Sequence, residues 1–193
     1  MGYEKVKGAE SFSGIGTVTI KPFKVDEDGN KEYISVTKHN LIVKDGRGSL
    51  IDLLIGAKKK HLKYIRWGKG GALQFPDGDP LVPLEVKDED VDVASPLIDK
   101  PLSAYNRLSR TEVEYTEVLI CDEVDSDVNE AAMLFEEEVT QARSIFARIT
   151  FPTVRLKIQY GTGIEIRWVF SFTKAEEVLV DFEENPIETP PQS

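Results

Sequence analysis

The stretch Ile164-Glu165-Ile166-Arg167-Trp168-Val169-Phe170-Ser171-Phe172 alternates large apolar residues with mostly polar ones. A period of two is the repeat of a half-buried β-strand, because successive side chains leave a strand on opposite faces. Ile164, Ile166, Trp168, Phe170 and Phe172 make one row, and Glu165, Arg167 and Ser171 lie opposite. Burying side chains of this size is worth about 1.5–3 kcal/mol each. The segment therefore predicts a main stabilising strand, and a core must exist for it to face.

Other segments supply the partners. Ile145 to Phe151 reads as a strand closed by Pro152. Arg107 to Ile120 alternates, with Val113, Tyr115 and Leu119 on one face. Leu62 to Trp67 reads as a strand ending at Gly68, and Ala131 to Phe135 is short and apolar. Thr17 to Ile20 opens a strand that Phe23 to Val25 continues. Asp26-Glu27-Asp28-Gly29-Asn30 is turn chemistry, and Tyr33 to Thr37 returns as the other arm of a hairpin.

The best helix follows Asn40 to Val43. Asp45 or Ser49 can cap it, Leu50, Ile51, Leu53, Leu54 and Ile55 are its apolar residues, and Gly56 is placed to stop it. Lys58, Lys59 and Lys60 then favour the negative end of its dipole. The expected fold is mainly β (α+β). It is an antiparallel β-sandwich or barrel-like domain with one principal short helix near 49–56 and extended terminal arms. The expected core is Val18, Ile20, Ile34, Val36, Leu50, Leu53, Leu54, Ile65, Ile149, Ile166, Trp168 and Phe170.

The organisation reads as an N-terminal arm (1–16), a β-rich domain (17–173) and an acidic, Pro-rich C-terminal tail (174–193). Within the domain, residues 68–105 carry Gly70, Gly71, Pro76, Gly78, Pro80, Pro83, Pro96 and Pro101, and read as a long loop of the kind that is often functional or interfacial.

Composition narrows the function. The 193 residues are 40% hydrophobic and 30% charged, a globular balance with room for one core. No apolar run approaches the roughly 20 residues that span a bilayer. The first residues have no apolar segment of a secretory signal, and the single cysteine, Cys121, admits no internal disulfide; both suit a reducing cytosol. A net charge of −10 argues against bulk nucleic-acid binding. From Ala175 onward the chain has six carboxylates and no Lys or Arg, whereas Lys58, Lys59, Lys60, Lys63 and Arg66 form a basic cluster. The two are either complementary patches for self-association or separate solvated faces.

Catalytic and ligand chemistry is sparse. His39, His61 and Cys121 supply neither a zinc set nor a nucleophile with a placed base and orienter. Two acidic runs, Asp26 to Asn30 and Asp122 to Asp127, suggest calcium. Counting from Asp26, however, position 12 of an EF-hand loop is Thr37 rather than Glu, and polar turns explain both runs. Trp67-Gly68-Lys69-Gly70-Gly71 lacks the spacing of a phosphate-binding loop and reads as a tight strand exit. Trp67 or Trp168 could stack on a sugar, but Trp168 lies on its strand's apolar face. No pair of carboxylates stands out as a glycosidase pair.

Four segments carry a resemblance. They are Asn40 to Val43 with Asp45-Gly46-Arg47-Gly48 and Leu50 to Gly56; Ile65-Arg66-Trp67-Gly68 with its glycine-rich exit; Val128 to Phe135; and Phe146 to Phe151 with the closing strand Ile164 to Phe172. In this order, across roughly residues 17–173, they resemble the tail-collar fibre type and related neck or baseplate fibre-anchoring proteins of tailed bacteriophages. The chain departs from that pattern where Arg155 or Lys157 stands for a lysine, and at 74–105. The resemblance implies a structural protein of a virion that acts by multi-copy assembly, folded in the host bacterial cytoplasm. Its partners would be copies of itself and other virion proteins, with no nucleic acid or membrane. It implies no enzyme activity, no catalytic residue, no cofactor and no metal. The alternative is a carbohydrate-binding receptor-recognition module of a tail fibre.

Overall fold

The structure is a computed structural model, and it describes residues 12–26, 29–33, 36–73 and 82–174. Among these residues twelve strands, one α-helix and one short 3-10 turn follow in order: β1 (Phe12–Val25), β2 (Lys31–Tyr33), β3 (Val36–Ile42), α1 (Lys44–Leu54), β4 (Lys60–Gly68), β5 (Ala72–Leu73), β6 (Val82–Pro83), β7 (Pro96–Pro101), β8 (Tyr105–Arg107), β9 (Glu112–Ile120), β10 (Asp127–Glu137), β11 (Arg143–Arg155), the 3-10 turn (Ile158–Tyr160) and β12 (Thr162–Lys174).

The fold is mainly β: one large antiparallel sheet curled into a half-barrel, with one short helix. The strand order is β7-β4-β10-β11-β3-β1-β12-β9-β8, with β2 added beside β1, while β5 and β6 form a separate two-stranded ribbon. Every pairing is antiparallel. The curl is visible in the connectivity. β7 and β8 are the two edges of the sheet, yet only residues 102–104 separate them in sequence.

The alternating stretch forms the middle of β12, flanked by β1 and β9. Ile164, Ile166, Trp168 and Phe170 are buried in the core with Val18, Ile20, Ile65, Trp67, Leu119, Ile149 and Phe151. The opposite row is satisfied cross-strand. Lys21 donates to Glu165 at 3.0 Å, Arg167 pairs with Glu114, and the Ser171 hydroxyl donates to Glu112 at 3.2 Å. Each polar residue meets its partner on the neighbouring strand, as the pleat requires.

Several boundaries differ from the sequence expectation. Residues 12–16 extend β1 along the end of β12. Pro22 sits within β1 without breaking it, because there the partner on one side changes from β3 to β2 and no amide is needed. β11 runs past Pro152 to Arg155, and its register against β10 shifts between Val128 and Glu130. A proline costs no ladder hydrogen bond at such an irregularity. The strand expected at 107–120 is two, β8 and β9.

The helix begins at Lys44 rather than near 49 and has no side-chain cap; neither Asp45 nor Ser49 serves. Neighbouring backbone takes that role: the Val43 amide donates to the Phe146 carbonyl at 3.2 Å and the Lys44 amide to the Asp88 carbonyl at 2.9 Å. Its end is as expected. Gly56 is left-handed (φ 67°), its amide reaches the Leu53 carbonyl at 3.2 Å, and the Ala57 amide reaches Asp52 at 2.9 Å. This is the paired Schellman closure.

The earlier start changes which residues face the sheet. Gly46 and Ser49 are the buried residues of α1. A β-carbon on Gly46 would stand 2.0 Å from the Phe146 carbonyl oxygen, so glycine permits the close approach. Leu50 is only partly buried against the core. Leu53 and Leu54, expected in the core, are exposed at 37% and 86%. Val18, Ile20, Ile65, Ile149, Ile166, Trp168 and Phe170 are core residues as expected. Ile34 and the side chain of Val36 lie outside the described residues.

Of the long stretch after β4, residues 74–81 lie outside the described residues, and residues 82–105 are organised against the sheet. From Val128 to Phe135 every residue of β10 is buried, because both faces of that strand are covered. Ala131, Met133 and Phe135 face the main core, while Ala132 and Leu134 join Val43, Val93 and Ile145 in a second cluster with Val86. The segment 84–95 thus covers the outer face of β10 and β11.

Candidate assembly surface

Two constellations stand out, and their chemistry separates them. The first is buried. The Glu130 carboxylate accepts the amides of Gly70 at 2.8 Å and Ser95 at 3.1 Å on one oxygen. It accepts Ala94 at 3.0 Å and Arg148 at 2.5 Å on the other. Arg148 also pairs with Asp90 at 2.6 Å, and Asn129 accepts the Gly71 amide at 2.7 Å. A β-carbon on Gly68 or Gly71 would collide with Glu130. The glycine loop is therefore an anion cradle whose anion is the protein's own carboxylate. By taking the amides of Gly70, Ala94 and Ser95 together, Glu130 holds both the glycine loop and the segment 84–95 on the sheet, which is a structural task.

The second constellation is open and apolar. Leu50, Leu53, Leu62, Val113, Tyr115, Phe135, Phe146, Phe170 and Phe172 line a cavity of about 170 Å³ at one mouth of the half-barrel. Tilted aromatic contacts give it firm walls: the Phe146 ring is 4.8 Å from Phe170 and 5.0 Å from Phe135. A wider recess of about 650 Å³ shares Leu53, Leu62, Tyr115 and Phe135 and adds Lys60, His61, Lys63 and residues 102–105. The rest of α1 continues the surface. Ile51, Leu54 and Ile55 are 58%, 86% and 71% exposed. Because the helix docks through Gly46 and Ser49, Ile51, Leu54 and Ile55 are left facing outward. A contiguous apolar patch of this kind is characteristic of an interaction site.

The basic cluster borders this surface. Lys58 and Lys59 are exposed after the helix. Lys60 donates to Ser49 at 2.8 Å and pairs with Asp52 at 3.4 Å, and Lys63 pairs with Glu136. Arg66 belongs to a different network: it holds Asp99 at 2.6 Å and Asp92 at 2.5 Å on the outer face of β4. Arg143 holds Asp99 at 2.5 Å from the other side and covers the Tyr64 ring at 3.8 Å.

The remaining sequence candidates are dispersed. Cys121 is buried, with its sulfur 3.6 Å from Asp122, and burial and that carboxylate push its thiol up from the ordinary value. His61 lines the wide recess, and the side chain of His39 lies outside the described residues. Asp26 closes its turn by accepting the Asn30 amide at 2.7 Å; Glu27 and Asp28 lie outside the described residues. In the second acidic run, Glu123, Asp125 and Asp127 pair with Lys100, Lys157 and Arg155. Among the described residues no group of three or more His, Cys, Asp or Glu is placed to hold a metal ion. Both tryptophans are buried, so neither ring is offered to a ligand. Trp168 donates its indole N–H to Asn40 at 3.3 Å when that amide is oriented to suit its neighbours.

Sequence reasoning missed the apolar surface because it assigned the helix leucines to the core. The signal was available: an eleven-residue helix that ends Leu-Leu, is followed by Ile55 and carries a Gly-x-x-Ser pair has more large apolar side chains than one face can bury. No family model, no curated protein and no solved structure matches this chain.

Proposed function

We propose that this protein is a structural component of a bacteriophage virion, in the neck, tail or baseplate, that acts by multi-copy assembly. The observation that carries the assembly half is the outward-facing apolar surface of α1, continuous with the open aromatic mouth. Exposed Leu and Ile side chains gain free energy only when another surface removes them from water. A body cross-tied by buried ion pairs suits a building block that must hold its shape. The virion assignment rests on the four-segment resemblance in the sequence.

The test is made on particles. Peptide mapping of purified virions should find the chain in several copies per particle. A double variant, Leu54→Glu with Ile55→Glu, should fold with the wild-type melting temperature, since both side chains are exposed, and should fail to incorporate. Absence of the chain from virions ends the virion reading. Normal incorporation of the double variant ends the role of this surface.

A further inference from the structure

Resting on that assembly reading, we propose that the aromatic mouth receives residues 175–184 from a second copy of this chain. Three observations converge on that occupant. The first is chemical fit. Ala175-Glu176-Glu177-Val178-Leu179-Val180-Asp181-Phe182-Glu183-Glu184 places Val178, Val180 and Phe182 at a period of two, bracketed by acidic pairs. An extended segment would present those three side chains on one face, toward a mouth lined by Leu53, Leu62, Tyr115, Phe135 and Phe172.

The second observation is charge. The recess beside the mouth is edged by Lys60, His61 and Lys63, with exposed Lys58 and Lys59 nearby. The segment contributes five carboxylates and no cation. Complementary charge at a rim steers encounter and fixes orientation.

The third is where the chain leaves. Phe172 lines the mouth, and Lys174 ends β12 two residues later. To enter its own mouth the chain would have to reverse soon after Lys174, and Ala175 to Val180 contain no Gly, Pro, Asn, Asp or Ser to favour such a turn. A neighbour's mouth can take the segment without that reversal. Because each tail leaves beside the mouth it would fill in another copy, two copies can exchange tails as a closed two-fold pair, or successive copies can pass them head to tail into rings or stacks.

The test uses the full chain with a photoactivatable benzophenone side chain at position 182, in an equal mixture of ¹⁴N- and ¹⁵N-labelled protein. Crosslinks to peptides containing Leu53, Leu62 or Phe135 that join one light and one heavy peptide are the expected result. Sedimentation equilibrium should show Phe182→Asp raising the self-association Kd roughly tenfold or more, with added salt acting in the same direction. Crosslinks joining only peptides of the same isotope would make the occupant the chain's own tail and overturn the proposal, as would crosslinks elsewhere. If Phe182→Asp associates as wild type while Leu54→Glu/Ile55→Glu dissociates, the tail contact is wrong and the assembly reading stands. A wild-type chain that stays monomeric at every concentration overturns both.

Discussion

The Glu130 carboxylate meets the Arg148 guanidinium at 2.5 Å beneath the segment 84–95, and neither side chain has appreciable access to solvent. Removing one partner of a buried pair costs more than the pair is worth, because the other charge is stranded. Arg148 already has its Nε without a hydrogen-bond partner, so it has little to fall back on. Glu130→Ala is expected to lose about 3–5 kcal/mol in urea unfolding. The amides of Gly70, Ala94 and Ser95 should lose hydrogen-exchange protection first, since all three donate to Glu130. A loss below about 1 kcal/mol, the scale of an ordinary single hydrogen bond, would mean the cradle does not anchor the loop.

Two glycines of the same helix should respond to alanine with opposite signs. Gly48 has nothing within 4 Å of an added β-carbon, so Gly48→Ala should stabilise by about 0.5–1 kcal/mol through helix propensity alone. At Gly46 the same carbon would lie 2.0 Å from the Phe146 carbonyl oxygen. Backbone cannot swing aside as a side chain can, and Gly46→Ala should cost at least about 1–3 kcal/mol. Thermal melts of the two variants decide it, and shifts of the same sign would refute the docking geometry of α1.

These glycines also explain what could be read from the sequence. Alternation in Ile164 to Phe172 revealed β12 because only one of its faces is buried. β10 hid behind its double burial: with both faces covered, Val128 to Phe135 shows no period. β7 was obscured by Pro96 and Pro101 at its ends, which read as loop punctuation although an edge strand tolerates them. The first turns of α1 were lost because Gly46 and Gly48 are poor helix formers and the start is fixed by Phe146 and Asp88, far away in sequence. That single error moved Leu53 and Leu54 from the surface into the expected core and concealed the apolar face. The glycine run after Trp67 is visible in the sequence, but its partner, Glu130, lies 60 residues onward, and no local pattern joins them.

The outer-face network predicts an acid-sensitive step. Hydrogen bonds from Arg66 hold the Asp99 carboxyl below its ordinary value, against the upward push of burial, and Arg143 adds to the same effect. A carboxylate depressed in the folded state contributes stability that is complete above its unfolded pKa of about 4 and is lost as pH falls through the lower folded value. The urea midpoint of the wild type should therefore drop more steeply below about pH 4 than that of Asp99→Asn, in which no carboxylate is there to titrate. Parallel curves for the two proteins would show that Asp99 is not linked to folding.

The last prediction concerns the seam of the half-barrel. Lys100 lies on β7 at one edge of the sheet, but its ammonium donates to the Val118 carbonyl and pairs with Glu117 at 3.3 Å and Glu123 at 2.9 Å, near the opposite edge. Ser103 adds a hydroxyl contact to Glu117 at 3.3 Å. Among the described residues no backbone ladder joins β7 to β9, and this cation, with Ser103, ties the two edges of the half-barrel together. Glu117 is largely buried beneath it, so Lys100→Ala strands a carboxylate as well as opening the seam. A loss of about 1–3 kcal/mol is expected, with faster amide exchange confined to β7, β8 and residues 102–104 while β1, β11 and β12 keep their protection. Lys100→Arg should recover most of the stability, because a cation still reaches the same acceptors. If Lys100→Ala melts as wild type, or if exchange rises throughout the sheet, the edges are held by packing alone and the lysine does not close the seam.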